Sequence, residues 1–497
     1  MLLRKSKIIF FTCFKNNIFE LNILKYKIFR FLLQFLQFSF QNPSMQKRNK
    51  NLTTGNIKKQ LVGLTWPMLL GMIGMVIFNL VDTYFIGKLG VHQLAAIGFT
   101  FPVIMFIQGL SQGIGVGTSS LISRNIIVEH RDNVKMMASR ALLMGVIIVL
   151  IFVAAGLLTI NPLFKALGAS NEVIGYIKDY MWIWYLGVPF VIVPMVGNNI
   201  VRATGDTFTP GMLMATSAVI NIILDPILIF GLGPFPEMGI KGAALSTVIA
   251  RGVSLIIILI VLIHHEKLLT LNFGRVRDIL KTWKKVLYIA GPAALGMLIT
   301  PLSLGFITKI IAGFGEEAVA AFGVASRVEM FVLMVIASLG SVIIIFIGQN
   351  FSKNQFSRIF KSLNYSGIFS LLWGALVFII FLFFSRAIAS VFTNNPEVIE
   401  ITRQFFLIVG ASYGFQGLVM LGTASFNGIN RPYPAAFMAI FRMLILYVPL
   451  ALIGSKLFDI AGVFWAGFTA NIVVGIISFL YLFRTIKKIK KKQHVRS

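Results

Sequence analysis

Cysteine is almost missing: Cys13 stands alone among 497 residues. One thiol excludes an internal disulfide framework, a zinc ribbon and an iron–sulfur site. Histidine is scarce too, at positions 92, 130, 264, 265 and 494. Only His264 and His265 are neighbours, at an expected helix end, and no metal role is assigned to them. Acids number 17 against 45 Lys and Arg. The chain has no G-x-x-x-x-G-K-[ST] loop and no H-E-x-x-H. A bound ATPase engine and a zinc protease are therefore excluded. No nucleophile–base pair replaces them, so no catalytic residue is assigned and no enzyme is expected.

What fills the chain instead is apolar: 57% of residues are hydrophobic and the mean hydropathy is +0.86. Soluble globular proteins do not carry that balance. Runs of about 20 apolar residues, each enough to cross a bilayer, recur near 61–87, 94–121, 136–160, 173–200, 207–231, 239–264, 285–313, 318–347, 360–384, 398–426, 433–454 and 460–484. The expected fold is all-α and polytopic, with twelve transmembrane helices. A net charge of +28 would suggest nucleic acid in a soluble chain. Here the basic residues crowd the loops before odd-numbered spans, among them Arg131, Lys135, Lys267, Arg275, Lys353 and Arg358, and the tail from Lys487. The opposite loops hold little more than Lys88, Lys165, Lys241 and Lys456. The positive-inside rule then puts both termini in the cytoplasm, with the bilayer as partner and no nucleic acid. Residues 1–44 differ from the rest: rich in Phe, Ile, Lys and Asn, with no clean span. They are expected to be a non-native or disordered extension ahead of Met45, the alternative being an interfacial amphipathic anchor.

The spans are two copies of one design. Pro67 to Gly90 and Pro292 to Gly315 are both 23 residues, followed by Leu94-Ala-Ala-Ile-Gly98 and Val319-Ala-Ala-Phe-Gly323, all at an offset of 225. Six helices per copy leave both copies facing the same way. They are thus parallel repeats, related by a pseudo-two-fold axis along the membrane normal. The N-terminal lobe is expected over 45–271 and the C-terminal lobe over 272–497, with the charged stretch 264–285 joining them. Two lobes with a seam are a transporter plan, and rocking gives alternating access. Gly109, Gly113 and Gly117, four apart, offer one small-residue face for close helix approach.

Asn221-Ile-Ile-Leu-Asp225-Pro226 interrupts an otherwise lipid-soluble stretch. An aspartate there costs at least about 2.5–3.5 kcal/mol on insertion scales. Asn221 and Asp225, four apart, share a helix face, and Pro226 frees the carbonyl of Ile222. Counting about 1.5 Å per residue from the outer span ends puts Asp82 ~8 Å deep, Asp225 ~9 Å and Thr247 ~12 Å. Two aspartates in one apolar layer cannot both stay charged cheaply. Such a pair shares a proton or holds a hard cation on oxygen ligands. Asp82, Asn221, Asp225 and Thr247 are the candidate ion-coupling residues, for H+ or Na+; no other metal or cofactor is expected. Met68, Met72 and Met75 form a thioether stripe on helix 1 suited to bulky, flat ligands, with helix packing as the plainer role. In the second lobe Asp82 falls on Ile307 at the offset of 225, and Asp225 falls on Pro449 at the offset of 224 that relates Arg202–Pro210 to Asn427–Pro434. Glu329 is the remaining intramembrane acid there and receives no role.

Taken together, Pro67 fifteen residues before Asp82, Val81-Asp82-Thr83, Arg202-Ala-Thr-Gly-Asp-Thr207, Asn221-x-x-x-Asp225-Pro226 and Gly242-Ala-Ala with Thr247 resemble a multidrug and toxic compound extrusion (MATE) transporter of the DinF-like branch. The resemblance covers nearly everything after about residue 55. It implies export of cationic or amphipathic drugs or metabolites across the cytoplasmic membrane in exchange for protons or sodium, by a monomer. It implies further that helix 1 bends at Pro67 as the site changes state, and that Asn198 touches substrate. A lipid-linked oligosaccharide flippase of the same superfamily is the alternative, though fourteen spans and a more basic cavity would be expected of one.

Overall fold

The computed structural model describes residues 51–166, 168 and 170–494. The expectation for residues 1–44 lies outside the described residues. Among the described residues twelve helices are long and apolar enough to cross a membrane: α1 (Ile57–Gly87), α2 (Val91–Asn125), α3 (Arg131–Ala166), α4 (Asn171–Ala203), α5 (Phe208–Phe230), α6 (Ile240–His265), α7 (Val276–Ala312), α8 (Glu316–Ser352), α9 (Phe356–Ser390), α10 (Pro396–Gly428), α11 (Pro432–Leu457) and α12 (Asp459–His494). Their starts follow local chemistry. Asn56 caps α1 by accepting from Lys59 N at 3.1 Å, Ser170 caps α4, and Asn395 caps α10 with Pro396 in the first turn.

The helices outrun the apolar windows. Lys487 and its neighbours, read as a tail after the last span, continue α12 to His494. The first ten residues of α7 come from the stretch read as linker, which shrinks to residues 266–275. Hydropathy marks where a helix leaves lipid. Lysine and arginine are good helix formers, so backbone hydrogen bonding carries on past that point. Two spans are also irregular inside. In α10 a 3-10 turn at Gly410–Ser412 breaks the run, and in α11 residues Phe441–Tyr447 are π-helical.

The repeat reappears as packing. In the first lobe α1 lies along α5, α4 packs on α2, α3 and α6, and α5 packs on α6. In the second, α7 lies along α11, α10 packs on α8, α9 and α12, and α11 packs on α12. Between lobes α2 runs against α7, and α8 against α1 and α2. The glycine face of α2 makes the first of these approaches. A Cβ on Gly113 would sit 2.7 Å from the Ala290 carbonyl, and one on Gly117 2.6 Å from that of Val286.

The lobes are also bonded across the seam. Ser120 Oγ donates to Asn427 O at 2.6 Å, Gln349 Oε1 accepts from Leu52 N at 2.9 Å, and Ser352 Oγ donates to Arg124 O. Arg358 donates to the carbonyls of Leu52 and Gly55 at 3.0 and 2.7 Å. These bonds lie at one end of the molecule, that of the α2 and α8 C-termini. Here the two lobes are shut against each other at that end.

Candidate functional site

The polar stretch of α5 forms a buried cluster with α6. Asp225 is fully buried, and Ser246 Oγ donates to its Oδ1. The Asn221 amide satisfies both neighbours when its nitrogen faces the carboxylate. Nδ2 then donates to Asp225 Oδ2 at 2.9 Å, and the amide oxygen accepts from Thr247 N and Thr247 Oγ1, each at 3.2 Å. Antiparallel α5 and α6 set this register: Asn221 lies opposite Ser246 and Thr247, and Ser217 Oγ bonds the Ala250 carbonyl at 3.3 Å one turn on. Hydrogen bonds to a charged acceptor contribute about 1.5–3 kcal/mol each, so two well-placed donors hold the Asp225 carboxylate in place.

Asp82 comes to this cluster from α1, within electrostatic reach of Asp225. Its Oδ1 is sealed from solvent and has no hydrogen-bond partner among the described residues. Tyr180 of α4, 5% exposed, lies near both aspartates. The structure thus gathers Asp82, Asn221, Asp225 and Thr247 and adds Ser246 and Tyr180. Ser246 could have been found from the sequence: it stands beside Thr247 and its neighbour Asn221 faces them both. Tyr180 could not, because one tyrosine in an aromatic span carries no positional signal.

The other candidates disperse. Asn198 is eighteen residues along α4 from Tyr180, about 27 Å of helix, and its buried Oδ1 has no partner among the described residues. Met68 is fully buried. Met72 Sδ accepts from Ser338 Oγ of α8 at 3.2 Å, across the seam. Only Met75 joins the cluster: with Phe78, Met214, Asn221, Thr247 and Arg251 it lines a cleft of about 10 Å³, room for one water. The Arg251 guanidinium lies 5.8 Å from the centre of the Phe78 ring, and among the described residues it makes no ion pair.

Pro67 sits inside α1, where it removes the donor to the Gly63 carbonyl. The helix is gripped there by α5. Thr207 Oγ1 donates to Leu64 O at 2.8 Å, and Gly71 passes so close to Gly211 that a Cβ would stand 2.6 Å from its carbonyl. The proline therefore divides α1 into a lower part and an upper part that bears Met75 and Asp82.

The second lobe carries a different network. Gln416 Nε2 donates to Glu329 Oε1 at 2.9 Å, and Asn471 Nδ2 donates to Gln416 Oε1 at 3.2 Å and to Ser412 Oγ at 2.9 Å. Arg442, in the π-helical part of α11, donates to Asn471 Oδ1 at 2.9 Å. Two amides thus stand between acid and base. Asn471 occupies the repeat position of Ser246, at the offset of 225. Ile307, the counterpart of Asp82, is fully buried in an apolar cluster.

Comparison with known proteins agrees with this architecture. The MatE family model matches residues 67–227 and 292–453, one match per lobe. A FAD transporter of Shewanella oneidensis is 36% identical over 444 residues, 89% of this chain and 98% of that protein. The multidrug resistance protein YoeA of Bacillus subtilis, itself designated probable, is 27% identical over 86% of the chain and 94% of its own length. Among solved structures, the Vibrio cholerae MATE transporter VcmN in its bent form superposes with a TM-score of 0.81 at 31% identity, covering 87% of this chain and 97% of that one. An outward-facing multidrug resistance MATE transporter of the MOP superfamily gives 0.84 at 27%, over 90% and 99%. The chain belongs to the MatE family of multi-pass membrane transporters and is not an enzyme.

Proposed function

We propose that this protein is a secondary antiporter that exports amphipathic compounds from the cytoplasm in exchange for protons or sodium. The observation that carries the reading is the Asp82–Asp225 cluster, buried in one lobe and joined to the proline-divided α1. Asp225 already accepts from Ser246 and Asn221, whereas Asp82 Oδ1 accepts nothing. A proton or a cation bridging the two carboxylates would satisfy that orphaned oxygen and draw the upper part of α1 toward α5. That movement would also shift Met75 and Phe78 on α1 against cargo held between the lobes, so ion binding and cargo binding oppose each other. The basic ends of the helices argue for a cytoplasmic location of the shut end; the conformation described is then open to the outside, ready to load its ion. On this reading the chain falls in the DinF-like branch, which its motifs resemble. Proteoliposome transport with a proton gradient and a sodium gradient imposed separately tests the reading. Export driven by one of them is expected, and uptake indifferent to both would refute coupling.

A second reading concerns the cargo. Arg251 makes no ion pair among the described residues, lies over an aromatic ring and lines the cleft next to Asn221 and Thr247. An intramembrane arginine is expensive unless it has a task. With the Shewanella relative named as a FAD transporter, a flat aromatic cargo bearing an anionic group fits this residue better than a cation does. Arg251→Gln should then lower export of FAD by about tenfold or more, the loss of one charge-assisted contact, while export of a cationic dye such as ethidium holds or rises. Equal loss of both would assign Arg251 to packing.

A further inference from the structure

At the shut end a second cavity, of about 320 Å³, opens between the lobes. Arg124 at the end of α2 and Arg431 in the α10–α11 loop line it from opposite lobes, together with Tyr288, Phe351, Asn430 and Ile489. No acid is among the lining residues, and neither arginine makes an ion pair among the described residues. Arg124 gives its Nε to the Ser120 carbonyl at 2.9 Å, which leaves its terminal nitrogens for something else. Ile489 is flanked on α12 by Lys487, Lys488, Lys490, Lys491 and Lys492, so the surrounding field is positive.

Such a cavity selects an anion. Two guanidinium forks on opposite lobes can converge on one tetrahedral group, whose free oxygens point in different directions, whereas the two oxygens of a carboxylate lie in one plane on one side. The Tyr288 hydroxyl and the Asn430 amide add donors. The cavity is also held together by contacts between the lobes. Two bonds between the lobes flank it, Ser120 Oγ to Asn427 O at 2.6 Å and Ser352 Oγ to Arg124 O, and parting the lobes would move Arg124 away from Arg431.

We propose that this cavity binds a phosphate group, carried by a lipid headgroup or free in solution, and that its occupancy holds this end of the transporter shut. A ligand that binds one conformation shifts the population toward it by its differential affinity. The proposal does not depend on the ion-coupling cluster, so it can fail or stand separately.

The test uses the full chain in phosphatidylcholine nanodiscs, followed by thermal unfolding. Inorganic phosphate is titrated in one arm, and phosphatidylglycerol replaces part of the lipid in the other. Ser120→Cys, in a Cys13→Ser background, reports opening of the seam by thiol labelling. A raised melting temperature and slower labelling with phosphate alone identify a free phosphate. The same changes with phosphatidylglycerol only identify a lipid. In Arg431→Gln, an exposed position, half-saturation should weaken about tenfold, whereas Lys491→Gln with Lys492→Gln should leave it in place. No response in the wild type, or an equal response in Arg431→Gln, would overturn the proposal.

Discussion

Asp225→Asn and Asp82→Asn should each reduce ion-driven export to the level of protein-free liposomes, while the variant proteins still insert and fold. The argument rests on what asparagine keeps and loses. At position 225 it keeps the size and an oxygen that accepts from Ser246, so the α5–α6 register survives. It cannot take up or release a proton, nor neutralise a cation. At position 82 the amide leaves α1 without a charge to respond to the ion, and the oxygen that lacks a partner stays uncharged. Gradient-independent exchange of labelled for unlabelled cargo separates the two functions. It should persist in both variants if cargo binding is intact. Wild-type rates of ion-driven export in both would remove the cluster from the mechanism.

The second large effect is mechanical. Gly113→Val with Gly117→Val is expected to abolish export by preventing closure of the α2–α7 seam. Each new Cβ would meet a backbone carbonyl, at 2.7 and 2.6 Å, and backbone cannot rotate aside as a side chain can. Overpacking of this kind costs about 1–3 kcal/mol per site, and about 1.4 kcal/mol is a tenfold change in a two-state ratio. The pair should therefore lower the shut population by roughly 30-fold or more. Ser120, buried and bonded across the seam in this conformation, gives the readout. With Cys13→Ser and Ser120→Cys introduced, thiol reagents should label the valine variant much faster than its glycine parent. Normal export and unchanged labelling would show that the seam does not close by this contact.

Much of this was legible in the residues. Twelve apolar runs and a constant repeat offset determine the number and arrangement of helices, because a bilayer leaves little choice of element. Depth counting placed Asp82, Asp225 and Thr247 in one layer, and their helices do meet there. The substrate side was less legible. Asn198, expected to touch substrate, lies far along α4 from the aspartates, and a motif fixes a residue's helix but not which surface it presents to cargo. Arg251 could not be told from a residue reaching for the membrane surface, since that depends on rotation of α6 about its own axis. Nor did any composition signal announce the π-helical turn of α11. Its consequence, Arg442 held by Asn471, needs coordinates on three helices at once.

The foot of α1 has one more implication. Leu52, Ile57 and Leu61 share an apolar cluster with Ile343, Phe346, Ile347 and Ile359 of the second lobe, and Arg358 grips the carbonyls of Leu52 and Gly55. The boundary between the moving bodies thus does not run through the linker alone; it also cuts α1 near Pro67. The helix is a lever with its fulcrum at the proline, its short arm moored to one body and its long arm, with Asp82, embedded in the other. Any swing of the lobes must either twist that lever or tear its mooring. On the proposed mechanism, an ion arriving at Asp82 acts on the far end of a beam whose near end is fastened to the shut end of the molecule.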